Sequence, residues 1–262
     1  MLHKMLTVTF LGTGTSSGVP LIGCTCKVCS SSNPKDNRLR SSILIQSNDT
    51  QIVIDTGPDF RQQMLTHTVN NLDAVLITHA HRDHTAGLDE LRAYNFKTGN
   101  SFPVYLDNLA SSIIHKQFDY IFSGSKYPGI PKLELHEIDE NTPFKIKNLL
   151  IQPIRVMHAE MPVLGFRIGS FAYITDAKTI SDTEIKKLSN CNTLVLNALR
   201  KEPHISHLTL DEALLMIKKL QPKTCYLTHA SHQLGLFEDI SGELPENVFL
   251  AYDGLKIDIN HL

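Results

Sequence analysis

Within six positions the chain carries four residues of metal-ligand type, in the run Thr78-His79-Ala80-His81-Arg82-Asp83-His84. The run follows Asp73 to Ile77, an apolar stretch that reads as a buried strand. In an extended segment, residues two apart point the same way, so His79 and His81 can converge on one metal ion. Asp83 and His84 fall at the next bend, near a helix start, and can face a second ion. Imidazole and carboxylate suit zinc, manganese or iron. A polar surface loop is the alternative. Four ligand-type residues directly after an apolar strand argue against it.

A second cluster reads Cys24-X-Cys26-X-X-Cys29. One loop would supply three thiolates, and a tetrahedral structural zinc needs a fourth ligand. His232 is the candidate, three residues after His229; the two would be neighbours if that segment is helical. The alternative is three free or buried thiols. The remaining cysteines, Cys191 and Cys225, stand alone, and an odd total of 5 argues against a disulfide framework.

Elements that could hold these residues are legible. Leu6 to Leu11 reads as a strand, broken by Gly12, Gly14 and Gly18. Ser42–Gln46 and Gln51–Asp55 flank a polar turn and predict a hairpin. Helices are expected over 58–66, 86–94 and 109–122. Strands are expected over 149–156, 165–168, 171–174, 194–197 and 224–227, with 249–259 closing the chain. Ser181 with Glu184, and Thr209 with Glu212, are capping-box patterns, the second opening a helix to about Leu220. Hairpins mixed with strand–helix alternation suggest two mixed sheets packed face to face with helices outside. No fixed-period repeat or low-complexity linker interrupts the 262 residues, so one domain is expected over 1–262, with a zinc-binding loop at about 18–40.

Composition removes several classes. Apolar residues make up 42% and charged residues 20%, ordinary globular usage. With 25 Lys plus Arg against 27 Asp plus Glu, the net charge of −2 gives no global pull on nucleic acid or anionic membranes. No apolar run approaches a membrane span, and the start reads as a strand rather than a signal peptide. A cytoplasmic protein is expected.

The run His79-X-His81-X-Asp83-His84 resembles the signature of the metallo-β-lactamase superfamily. The resemblance implies an αββα sandwich (α/β class) with a site at one edge of the two sheets. It implies that Asp55, in Ile-Asp-Thr-Gly, supports the histidine loop. It implies further ligands at His158, Asp176 and His229, each after an apolar strand-like run, with Asp176 bridging two ions. His79, His81, His158 and Asp176 would hold one ion. Asp83, His84, His229 and Asp176 would hold the other. Two divalent cations, manganese or zinc, outweigh these carboxylates and a bridging hydroxide, so the site favours an anionic substrate. His3, His67, His115, His136 and His261 lack this context and read as surface or satisfied residues.

The resemblance narrows at the cysteine loop after Leu-Gly-Thr-Gly-Thr-Ser, followed by Arg38-Leu39-Arg40-Ser41-Ser42. These segments, with Gly57-Pro58-Asp59-Phe60-Arg61, resemble the phosphoribosyl cyclic phosphodiesterases of the carbon–phosphorus lyase pathway. That branch implies one structural zinc held by Cys24, Cys26, Cys29 and His232. It also implies a catalytic histidine at His207, in Pro203-His204-Ile205-Ser206-His207, with Asp83 and Asp176 beside it. His207 would protonate the leaving oxygen, while His204, in the same loop, is not expected to be catalytic. Arg38, Arg40 or Arg61 could steer small anions, or could be structural ion pairs.

The expected function is hydrolysis of small, cyclic phosphodiesters at a dinuclear site. No nucleic-acid or membrane partner is expected, and a homodimer is an expectation of the family. A transfer-RNA 3′-processing endonuclease is one alternative. That branch usually carries a long substrate arm between the equivalents of His158 and Asp176, here only 18 residues apart. Thioester or β-lactam hydrolysis is another alternative, and a non-catalytic metal-binding protein a third.

Overall fold

The computed structural model describes residues 4–124 and 127–261. His3 and the side chain of His261 lie outside what it describes. One sheet holds β1 (Lys4–Gly12), β2 (Ser42–Ser47), β3 (Thr50–Ile54), β4 (Ala74–Leu76), β5 (Phe102–Leu106) and β6 (Leu133–Glu137). The other holds β7 (Phe144–Ile146), β8 (Leu149–His158), β9 (Met161–Ile168), β10 (Phe171–Tyr173), β11 (Thr193–Asn197), β12 (Thr224–Thr228) and β13 (Val248–Leu250). The last strand, β14 (Lys256–His261), returns to pair with β1. Strand orders are β14-β1-β2-β3-β4-β5-β6 and β13-β12-β11-β10-β9-β8-β7. Each sheet is antiparallel over one half and parallel over the other, the change falling at β3 and at β10.

The period of two in the sequence builds the layers. Ile43, Ile45, Ile52, Ile54 and Leu76 face Leu164, Phe166, Phe171 and Tyr173 between the sheets. Their neighbours Leu44, Val53, Val75 and Ile77 point the other way, onto Phe60, Met64, Leu91 and Ile114 of the outer helices. On the second sheet Val156, Ala172 and Leu196 meet Ala213, Ile217 and Ile240 in the same manner. Each buried side chain of this size contributes about 1.5–3 kcal/mol. A charge at Ile45 would break the middle layer. The result is the αββα sandwich.

Helix Leu210–Leu220 starts with both halves of the capping box between Thr209 and Glu212. The Ser181 pattern forms only half a box. Ser181 accepts from the Glu184 N–H, but the Glu184 carboxylate turns to the Arg155 N–H at 2.8 Å. The helix expected over 86–94 is instead a short helix Arg82–Thr85, a 3-10 turn Leu88–Leu91 and a helix Arg92–Thr98. The one expected over 109–122 breaks at Phe118. Strands β5, β6 and β7 and the helix Phe237–Glu243 have no counterpart in the sequence reading. Pro103 lies inside β5 and hides it, since proline is rare in paired strands.

Candidate metal centre

The singled-out residues of the histidine cluster sit at or just beyond the C-terminal ends of strands. Asp55 follows β3, the 78–84 run follows β4, His158 ends β8, Asp176 follows β10 and His229 follows β12. Open α/β sheets bind ligands at this edge, because loops there are free to vary. Asp55, Asp176 and His229 have φ of 67°, 56° and 59°, the left-handed region. Each such residue costs about 1–3 kcal/mol and turns its side chain back over the strand end. Gly57 lets the β3 loop touch the histidine loop; a Cβ there would collide with the Asp83 carbonyl. Thr56 N–H then donates to the His84 carbonyl at 2.8 Å.

Four imidazoles have their tautomer fixed from behind. Asp55 is fully buried and accepts from His84 Nδ1 at 2.7 Å and from the Thr78 N–H at 2.8 Å. The Thr78 hydroxyl donates to Asp55 at 2.9 Å, so it can only accept from His79 Nδ1, at 3.0 Å. Ser41 Oγ donates to the Gly14 carbonyl at 2.9 Å and accepts from His229 Nδ1 at 3.1 Å. His158 Nδ1 donates to the Ser206 carbonyl at 2.9 Å. In each ring Nδ1 carries the proton, leaving a lone pair on Nε2 for the site. His81 is turned the other way, its Nδ1 lying 3.0 Å from His79 Nε2.

The lone pairs and carboxylates gather around Asp176. His79 with His84, His158 with His207, and Asp83 with His229 each group with Asp176, ligand atoms within 4.8 Å of one another. His229 Nε2 lies 3.3 Å from Asp176 Oδ1, and His207 Nε2 lies 3.0 Å from the same oxygen. His84 Nε2 is buried, 3.2 Å from Asp83 and 3.4 Å from Asp176, yet makes no hydrogen bond. An orphaned buried nitrogen between two carboxylates fits a cation. Burial works against charge on Asp176, but His229, His84, His207 and His79 together hold it well below the carboxylate range. Burial lowers His229 to about 4 and outweighs Asp176. Burial, with the His84 charge, also pushes His79 well down. On His84 the carboxylates Asp176, Asp55 and Asp83 outweigh burial and raise its pKa, so their field favours positive charge at Nε2, which a metal ion bound to the lone pair would supply in place of a proton.

The cysteines form a separate group. Cys24, Cys26, Cys29 and His232 place one ligand atom each within 4.8 Å of one another. His232 Nδ1 is 3.4 Å from Cys24 Sγ and 3.3 Å from Cys26 Sγ. The Cys29 N–H and then His232 lower Cys26 to about 6, while burial raises Cys29 to about 11. Three sulfurs and one nitrogen match a tetrahedral zinc donor set. The segment carrying His232 is a turn rather than a helix. His229 is held by the bridge of Ala230 to Gly14, so His232 reaches the cysteines from the following bend.

The arginine expectations divide. Arg38 is 5% exposed and donates to Thr13 Oγ1 and the Ala251 carbonyl, which makes it a structural residue. Arg40 pairs with Asp59 at 3.2 Å. Arg61 lines a cavity of the outer helices with Met64 and Tyr94. His115 bonds the Ser111 carbonyl and His136 stacks on Tyr105. Sequence reasoning missed Ser41, Thr78 and Ser206 as supports. Thr78 had a signal, since it stands between the strand and the first ligand-type histidine. Ser206 acts through its carbonyl, which no side-chain pattern reveals.

The chain has known relatives in sequence and in fold. Residues 50–230 match the beta-lactamase superfamily domain. An octanoyltransferase of Porphyromonas gingivalis is 40% identical over 252 residues, 95% of this chain and 51% of that protein. The chain therefore spans about half the length of that relative. A crystal structure of a diphosphatase from the PhnP family superposes with TM-score 0.92 at 38% identity, covering 98% of both chains. Zinc-bound PqqB from Methylobacterium extorquens superposes with TM-score 0.78 at 18% identity, over 97% of this chain and 100% of that one. At that identity the likeness speaks to the fold alone. Among the described residues no helix is long and apolar enough to cross a membrane.

Proposed function

The chain belongs to the β-lactamase superfamily, and from that premise we propose that it is a metal-dependent hydrolase of small anionic phosphodiesters. The observation that carries this reading is the convergence on Asp176 of three donor groups, one of which includes His207 from a separate loop. We assign His79, His81, His158 and Asp176 to one ion and Asp83, His84, His229 and Asp176 to a second, manganese or zinc; of these His81 lies outside the three groups, its Nδ1 facing His79, and His79 groups with His84. Cys24, Cys26, Cys29 and His232 are assigned a structural zinc. When bound, two divalent ions supply Lewis-acid stabilisation of phosphoryl oxygens and activation of water.

The chain's own residues supply the rest. Asp55, Thr78, Ser41 and the Ser206 carbonyl hold four imidazoles with Nε2 inward. Their fixed orientation means that no reorganisation is needed when substrate arrives. Water adds to phosphorus, giving up a proton to solvent from which His207 is later reprotonated, and the bond to the leaving oxygen breaks. His207 delivers its Nε2 proton to that oxygen. The ring is aimed by its contact with Asp176 at 3.0 Å and by Ser206 Oγ, 3.1 Å from Nδ1. Hydrolysis of a diphosphate bond is the second reading, favoured by the 38% identical diphosphatase. The same clamp and proton donor would serve a phosphate leaving group, which needs protonation less.

A side-by-side assay with manganese tests the proposal. The arms are a nucleoside 2′,3′-cyclic phosphate, bis(p-nitrophenyl) phosphate, a nucleoside diphosphate ester, a glutathione thioester, nitrocefin and precursor transfer RNA. The cyclic ester should be fastest. Preference for the diphosphate supports the second reading. Preference for the thioester, the acyl chemistry in the Porphyromonas relative's name, or for RNA overturns both.

A further inference from the structure

The segment that brings His207 to Asp176 is a closed loop between β11 and helix Leu210–Leu220. Its neck is tied by Leu199 N–H to the Leu208 carbonyl at 3.0 Å and by Leu210 N–H to the Arg200 carbonyl at 2.9 Å. Beyond the neck, residues 201–207 form no helix or strand, and Ile205 at the tip is 82% exposed. A loop of that kind is free to open unless side chains hold it.

Arg200 stands at the neck and its guanidinium grips three partners. Nη2 donates to the Pro203 carbonyl at 2.7 Å and Nε to the Glu202 carbonyl at 3.3 Å, both in the loop. Nη1 donates to Gln233 Oε1 at 2.8 Å, in the turn that follows His232. That turn is itself fixed to the neck, because the N–H and Oγ of Ser231 both donate to the Leu199 carbonyl, at 3.0 and 2.9 Å. A planar fork that is always charged suits this task, since one rigid group spans three acceptors. Inside the loop, Ser206 closes the chain of contacts. Its carbonyl holds His158 and its hydroxyl lies 3.1 Å from His207 Nδ1.

We propose that Arg200 is a positioning residue, clamping residues 202–207 to the His232 turn so that His207 stays at the Asp176 carboxylate. The cysteine-rich centre and the proton donor are then mechanically joined through Gln233 and Arg200. This rests on the reading that His207 protonates the leaving oxygen.

The test compares wild type, Arg200→Ala, Arg200→Lys, Gln233→Ala, the double variant and His207→Ala, on two esters. Methyl phenyl phosphate has a poor leaving group and methyl p-nitrophenyl phosphate a good one. Arg200→Ala should lower kcat on the phenyl ester by roughly tenfold, with a smaller loss on the nitrophenyl ester and KM little changed. Amide hydrogen exchange over 202–207 should rise by roughly tenfold, while metal content stays constant. Arg200→Lys should recover part of both effects. The double variant should be no worse than Arg200→Ala, since both single changes cut the same tie. Unchanged exchange in Arg200→Ala, or equal loss on both esters while His207→Ala discriminates between them, overturns the proposal. If His207→Ala itself fails to discriminate, the proton-donor reading falls, and the exchange measurement still decides whether Arg200 clamps the loop.

Discussion

Asp55→Asn removes one charge and one accepting oxygen from the support of the histidine loop. The amide has the same shape, and asparagine tolerates the left-handed φ of 67° at this position. The carboxylate accepts from His84 Nδ1 at 2.7 Å, Thr78 Oγ1 at 2.9 Å and Thr78 N–H at 2.8 Å. An amide has only one accepting oxygen, so whichever way it turns, its NH2 faces a donor. Facing His84, it forces the ring to the other tautomer and puts a proton on Nε2. That proton would occupy the gap between Asp83 and Asp176, at 3.2 and 3.4 Å, where we place an ion. Changes to such supports cost about 10–100-fold in metal affinity, or about 1.4–2.7 kcal/mol. Manganese titration against a competing chelator reads the effect. Circular dichroism checks that the fold persists. Unchanged affinity in a folded variant would refute the tautomer argument.

His207→Ala should retain both active-site ions and lose roughly 10²–10⁴ in rate, with a smaller loss on nitrophenyl esters; loss of a metal equivalent would instead make His207 a ligand. Cys26→Ser should lower zinc by about one equivalent and reduce the melting temperature, because structural zinc contributes folding free energy; elemental analysis and thermal melting check this. A pH effect is expected away from the site, at Asp253, whose carboxylate accepts from Thr13 Oγ1 and the Leu39 N–H, both at 2.7 Å. Burial raises its pKa from 3.8 to about 6 in spite of those bonds and Arg38. The folded state then holds the proton more tightly than the unfolded chain. Its stabilising contribution is complete below about pH 4 and is lost as pH rises through about 6, by up to about 3 kcal/mol. Asp253→Asn should flatten that part of the stability profile; denaturant melts at pH 4, 5, 6 and 7 with an unaltered slope would contradict the assignment.

The sheets were legible where alternation was strict. Ile43 to Ile45 and Ile52 to Ile54 show their two faces directly, and the Thr209–Glu212 box marks its helix to the residue. β6, Leu-Glu-Leu-His-Glu, alternates but lies half exposed at the sheet edge, and with two apolar residues and no β-branched or aromatic one it is too weak a strand signal. The residues that do chemistry were legible because ligand types are scarce in apolar context: each of His79, His158, Asp176 and His229 follows or ends a buried run. Apart from Asp55, the supports were not. Ser41 and Thr78 are common residue types, and their role exists only once strands distant in sequence have met. Arg38 and Arg200 show the same limit, since both are charges in loops. Burial against Thr13 and Ala251 makes one structural. Proximity to Pro203 and Gln233 gives the other its grip on the loop.

Anomalous diffraction from crystals grown with manganese is the most direct test that Asp176 joins two ions. Two manganese peaks should flank the Asp176 carboxylate, about 3.5–4 Å apart, with a zinc peak among Cys24, Cys26, Cys29 and His232. In Asp176→Asn crystals the two manganese peaks should weaken or vanish while the zinc peak stays. A single peak beside Asp176 at saturating manganese, or two that survive the substitution, would contradict the two-ion assignment.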